Sequence, residues 1–291
     1  MSYKERLTIL HTAEINDLYG IPSLSLEEKR VSFALNDLEQ DVIKSIRDRK
    51  HKCYAIAILG YFKIKPIQLN PPYKELQEDL AFIAEEYFPK FKVPRFSVSR
   101  MQKARIYDKV LSLQNFDTWD AKQHKEPLIA YLQQVAKSWI EPRFIFDACT
   151  EYLARNHIAI PKYTVLQRII SQVIKQERKR LSDTLKTTIS ADLAAKLADL
   201  VDGESTLTVK EIKQAAKSFN ASEMEKELNV NKLIQPWMNE VNEVVSALSL
   251  SQQNQLHYAA MVDYYSITKL KRFDRVTQQL DLLCSIPERA Q

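Results

Sequence analysis

Three glycines, Gly20, Gly60 and Gly203, serve a chain of 291 residues. Phosphate-cradling loops and nucleotide folds need several glycines, because their backbone approaches the ligand where a Cβ would collide. Tight hairpins need positive φ at their turns and are disfavoured for the same reason. What remains is a chain written in helical periods. Between Lys162 and Thr184, for example, Val165, Leu166, Ile169, Ile170, Val173 and Ile174 recur at three- and four-residue steps and form one apolar stripe. The expected class is all-α.

Hydrophobic residues make up 45% and charged residues 27%, which places the chain among globular proteins, and its length allows two domains. The formal net charge of +5 is mild and by itself favours nucleic acid only weakly, so the clustering of charge carries more than its sum. Cys53, Cys149 and Cys284 are far apart and odd in number, a usage that fits reduced thiols in a cytosol. Met1 to Arg6 is polar and no apolar run follows, so no secretory signal is expected; no run approaches membrane-spanning length.

Helix starts are marked by caps. Thr12 opens a short helix that Gly20 can close in the left-handed conformation, ahead of Pro22. Ser25 with Glu28, Asn36 with Glu39, and Thr208 with Glu211 have capping-box spacing. The Asn36 helix is expected to run through Ile46, with Arg47, Arg49, Lys50 and Lys52 at its end, where cations suit the dipole. Cys53 to Phe62 is nearly all apolar and is predicted to be a buried helix; Lys65 to Tyr73, with three prolines, is predicted to be extended. Helices follow over 75–87, 99–113, 127–139, 142–156, 162–184 and 185–201, with residues 115–125 as a linker. Asp202 to Ser205 breaks the pattern. Beyond it, helices are expected through Phe219, over 224–228, 234–248, 252–265 and 268–284.

Two basic constellations stand out. On the helix from Lys162, the face opposite the apolar stripe offers Lys162, Thr164, Gln167, Arg168 and Ser171, then Lys175, Arg178, Lys179 and Arg180. Arginine and glutamine can pair bidentately with guanine and adenine edges in a major groove, and the later cations can neutralise phosphates. The alternative is a solvated helix face whose C-terminal cations suit the dipole, and Glu177 moderates it. The second constellation joins Arg47, Arg49, Lys50, His51 and Lys52 with Arg95, Ser97, Ser99, Arg100, Lys103 and Arg105, the latter at a helix start where N–H groups favour phosphate. It too can be an ordinary solvated helix end.

Catalytic patterns are lacking. Five histidines have no ligand spacing to cysteines or acids, so neither a metal site nor a cofactor is expected. Paired acids such as Glu27-Glu28 and Glu85-Glu86 suit capping or solvated faces. Tyr264-Tyr265 could stack on bases, but its apolar-periodic setting favours core packing.

Leu18-Tyr19-Gly20-Ile21-Pro22, with Leu24, Glu27-Glu28 and Phe33, resembles the start of the transposases of the Tn-three family of replicative transposons. Leu59-Gly60-Tyr61-Phe62-Lys63 is similar to that family's next block, and Tyr264-Tyr265-Ser266, Lys269-Leu270 and Arg272-Phe273 to the block after its DNA-binding region. The blocks occur in family order over almost the whole chain. The resemblance implies two helical domains with helix-turn-helix-like units, at 1–118 and 126–202, that bind the terminal inverted repeats in double-stranded DNA. A helical region with terminal amphipathic helices, 203–291, then leads toward a catalytic part carrying an acidic triad. That part lies beyond the matched blocks, and Ser285-Ile286-Pro287-Glu288-Arg289 departs from the family pattern like a truncation or frameshift. The resulting expectation is a cytoplasmic, nucleoid-associated module of DNA transposition and recombination, without catalysis of its own. An alternative is a helical remnant that self-associates or pairs with an intact transposase through its apolar terminal helices.

Overall fold

The computed structural model describes residues 7–69, 71–213, 218 and 220–289. Among them are fifteen helices, no strands, and two isolated parallel bridges, Ile67 with Ile160 and Asp117 with Ile158. Thr12–Tyr19 (α1) closes through the Gly20 N–H, which donates to the Asn16 carbonyl at 2.7 Å. Gly20 lies at φ −78°, so the expected left-handed close is absent: that bond satisfies the helix end while the backbone runs on extended toward Pro22. Leu26–Ser32 (α2) and Asp37–Lys44 (α3) begin with the capping boxes that the Ser25–Glu28 and Asn36–Glu39 spacings predict.

Asp48 corrects the reading of the first basic run. Its carboxylate accepts from the Lys50 N–H at 3.1 Å and caps Arg49–Ile64 (α4), so Arg49, Lys50 and Lys52 open this helix instead of closing α3. The dipole opposes cations there, contrary to the expectation. Every residue from Cys53 to Phe62 is buried, as the apolar run predicts. A Cβ on Gly60 would collide with the Phe33 ring and lie 2.9 Å from the Ser32 carbonyl oxygen, so α2 packs where only glycine leaves room.

Tyr73–Tyr87 (α5) follows the extended proline segment. Arg100–Gln114 (α6) starts on a Ser99–Gln102 capping box and ends at Asn115, whose φ of 55° is left-handed. The segment expected to be a linker is held instead. The Asp117 N–H donates to the His157 carbonyl at 2.7 Å, and the Ala159 N–H to the Asp117 carbonyl at 2.9 Å. Ala121–Ser138 (α7) therefore begins before Pro127 and contains it. Pro127 and Gln123 are both exposed, so water can reach the carbonyl that the missing N–H leaves without a helical donor.

Pro142–Arg155 (α8) and Tyr163–Thr188 (α9) follow, with α9 running past the break expected at Thr184 until Ser190 caps Ala191–Asp202 (α10). Gly203 ends α10 in the left-handed region at φ 85°. Val209–Lys213 (α11) rests on the Thr208–Glu211 box, with the Thr208 N–H donating at 2.7 Å; the expected continuation to Phe219 falls partly outside the described residues. The two helices expected over 224–228 and 234–248 are one, Ala221–Leu248 (α12), with Pro236 exposed inside it. Gln252–Tyr264 (α13) has a Ser251 cap. The helix expected over 268–284 is split into Ile267–Leu270 (α14) and Arg275–Arg289 (α15), because the Asp274 side chain takes the Thr277 N–H at 3.1 Å and restarts the helix.

The helices gather into two compact units, Met1–Leu132 with Pro142–Ser171, and Gln133–Glu141 with Gln172–Gln291. This division runs through α7 and α9, and so cuts the chain differently from 1–118, 126–202 and 203–291. In the first unit α2, α3, α5 and α6 all pack on α4. Polar groups buried there are matched: the Tyr61 hydroxyl donates to Asp79, which also pairs with Lys29 at 2.7 Å. Glu39 takes Lys63 Nζ at 2.8 Å and Gln114 Nε2 at 3.1 Å. The start of α9 holds the N-terminal segment, since the Tyr163 hydroxyl accepts from the Ile9 and Leu10 N–H groups at 3.3 and 3.2 Å. Gln167 Nε2 donates to the Leu7 carbonyl at 2.8 Å.

In the second unit α15 packs against α10, α11, α12 and α13, and residues 280–286 are all buried. The apolar positions of the last helix are thus covered within this unit. Among the described residues no helix is long and apolar enough to cross a membrane.

Candidate nucleic-acid interface

The Ser99 cap sets the register of α6, and with it two basic concavities on either side of that helix. On one side Arg100 and Lys103 meet Lys162, the residue before α9, around a concavity of about 540 Å³ that also takes in Tyr54, Gln68 and Tyr107. On the other side Arg105 and Lys109 face Arg47 across a concavity of about 700 Å³, with Asp48 and His51 in its wall. Arg47 and Arg105, 58 apart in sequence, are joined here because α3, α4 and α6 pack on one another. Among the described residues six cations line the two hollows against one carboxylate, Asp48, although Asp108 is exposed on α6. The same unit's hollow between α1 and α8 has the reverse balance, with Glu14, Asp17, Asp147 and Glu151 against Arg143. Charge is therefore segregated within the unit, and segregated charge focuses a field.

Other members of the first basic constellation are dispersed. Arg49 is exposed with its guanidinium 6.0 Å from the Phe91 ring centroid, and Lys50 pairs with Asp48 at 3.3 Å. Lys52 is half-buried; Arg95 and Ser97 are exposed on the extended segment before α6. That segment is anchored by Phe96, whose ring meets Tyr73 at 5.4 Å and His51 at 5.9 Å. Burial acts to raise the Asp48 carboxyl, but the Lys50 N–H and ammonium, with His51, together hold it below the usual range.

On α9 the apolar stripe is buried as predicted, apart from Val165, which is half-buried. In the first unit Lys162, Thr164 and Arg168 are exposed, Ser171 is half-buried, and the Gln167 amide is engaged with Leu7. In the second unit Lys175 and Arg178 are exposed, and Lys179 pairs with Asp183 at 2.5 Å. Arg180 has an internal role: it pairs with buried Glu177 at 2.7 Å and donates to the Leu248 carbonyl at 3.1 Å, satisfying the end of α12. Tyr264, expected in a core, is 79% exposed, because the chain leaves the helix at Tyr265, which takes the inner place against Phe273 at 5.0 Å.

Sequence reasoning missed Lys109 and Gln68. Lys109 continues the step from Arg105 on α6 and could have been found by that period; Gln68 sits in a proline-rich segment with no period to mark it.

Residues 9–173 match the family described as Domain of unknown function (DUF4158). The chain belongs to this family. The DUF4158 segment begins where α9 ties down the N-terminal segment and ends just past Ser171, so it coincides closely with the first compact unit and contains both basic concavities. No curated protein matches the chain.

Proposed function

We propose that the DUF4158 unit is a sequence-specific binder of double-stranded DNA and that the chain is the end-recognising part of a transposase, without catalysis of its own. The observation that carries the reading is the convergence of six cations from three separate segments along α6. Duplex DNA carries about one charge per 1.7 Å of axis, so an extended array of cations gains counterion-release free energy that a solvated helix end does not. In this reading α8 and α9 form a helix-turn-helix-like unit in which exposed Thr164 and Arg168 read base edges, while the α6 array holds the phosphates. The ordered sequence blocks that resemble Tn-three family transposases supply the target, a terminal inverted repeat.

The test is selection from a pool of random 30-base-pair duplexes, followed by anisotropy titration of the selected duplex and of its scrambled version. Enrichment of one consensus, bound about 10³-fold or more tightly than the scrambled duplex, is expected. Equal affinity for both would end the claim of sequence recognition, and no binding of either at low salt would end the claim of DNA binding.

A further inference from the structure

The concavity between α4, α6 and the start of α9 differs from the one on the other side of α6. Its rim is cationic, with Arg100 and Lys162 exposed and Lys103 half-buried, and among the described residues it has no acid in its wall. Its floor is apolar, built from buried Ile58, Leu69 and Ile106 with half-buried Val98. Gln68 adds a carbonyl and an amide in the same wall. Tyr107 also lines it, is 6% exposed, and its buried hydroxyl has no hydrogen-bond partner among the described residues. A hydroxyl left unmatched in an interior costs stability, and one beside an open hollow has a ready explanation if a ligand completes it.

We infer that this concavity seats a single nucleoside phosphate unit, its phosphate on Arg100 and Lys162, its base on the apolar floor within reach of Gln68 and the Tyr107 hydroxyl. The inference rests on the DNA-binding reading and extends it, since the unit can be an unpaired nucleotide of a DNA strand as well as a free nucleotide. The chemistry fits both halves of the ligand. Cations beside the N-terminal turn of α6 suit phosphate, and a glutamine amide can pair bidentately with a base edge. The volume of about 540 Å³ admits one such unit and no stretch of duplex.

The experiment uses the full chain with four probes: adenosine 5′-monophosphate, adenosine, inorganic phosphate, and a 30-base-pair duplex with or without one unpaired 2-aminopurine nucleotide at its 3′ end. Calorimetry is expected to show the monophosphate bound at least ten-fold more tightly than adenosine or phosphate. If the source is DNA, the unpaired 2-aminopurine fluorescence changes on binding; if it is the free nucleotide alone, that signal stays flat while the monophosphate still binds. Tyr107→Phe is expected to weaken monophosphate binding about five-fold and to raise Tm. A role in packing alone would leave monophosphate binding unchanged. Failure of both the monophosphate and the overhang to respond, with blunt duplex still bound, would overturn this inference and leave the DNA-binding reading standing. Loss of blunt-duplex binding in the wild-type chain would remove that reading itself.

Discussion

Replacing Arg47, Arg105 and Lys109 together by Gln isolates the electrostatic contribution of one side of α6. All three are exposed, and the Lys109 ammonium bonds the exposed Ser45 hydroxyl at 3.1 Å, so their loss should leave the fold intact. Six cations line the two concavities. If each meets one phosphate, log affinity should fall with log salt at a slope of about −5.4, at roughly −0.9 per contact. Between 50 and 200 mM salt the wild-type chain should then lose about three orders of magnitude in affinity. The triple variant keeps three contacts, so its slope should be about −2.7 and its loss over the same range about 40-fold. Anisotropy titrations of a labelled 30-base-pair duplex at three salt concentrations measure both slopes, and circular dichroism checks the fold. Parallel lines for the two proteins would refute the placement of phosphates on this side of α6.

Three further outcomes follow from buried groups. Burial pushes the Asp281 carboxyl up to about 7 from 3.8, with Arg178 opposing and Asp274 adding to the rise. Because the folded pKa lies above the unfolded one, stability should be highest below about pH 4 as far as this group is concerned, and should fall as pH rises to about 7. Asp281→Asn should flatten that dependence between pH 4 and 7 in urea titrations; an unchanged profile would show that Asp281 does not cause it. Asn254 is 1% exposed, accepts from the Ile140 N–H at 2.7 Å and donates to the Ala136 and Lys137 carbonyls at 2.9 and 3.0 Å, closing the end of α7. Asn254→Ala should cost about 2–4 kcal/mol by chemical denaturation, since it leaves several backbone groups unmatched. Gly60→Ala should cost about 1–3 kcal/mol by the same measurement, because fully buried Phe33 has no room to retreat.

The all-helical class was legible because the cues are local. Ser25, Asn36, Ser99 and Thr208 each sit three residues before a side chain that returns the hydrogen bond, and all four mark helix starts. The basic run at Arg47 misled, since cations are ordinarily read as a helix end, whereas Asp48 inside the run caps the next helix. Pro127 and Pro236 misled in the other direction. Proline breaks a helix when the carbonyl that loses its N–H is shut away from water, and both lie on exposed faces, a property that no local pattern states. The basic array was half legible. Arg47, Arg100, Lys103, Arg105 and Lys162 were visible as cations, but their grouping by α6 depends on packing between helices distant in sequence. The unmatched Tyr107 hydroxyl could not be read at all, because burial without a partner is a property of three dimensions.

The bonds from Tyr163 and Gln167 to residues 7–10 have a consequence for how the chain is made. They join positions separated by 153 to 160 residues. Contacts of such high order must await closure of a very long loop, which slows folding. On the ribosome, helices α1 to α6 can pack as they emerge, but the N-terminal segment stays unlatched until residue 167 has left the exit tunnel. At roughly 5–20 residues per second, that leaves it open for about 10–30 s, an interval in which a nascent chain is accessible to chaperones and proteases.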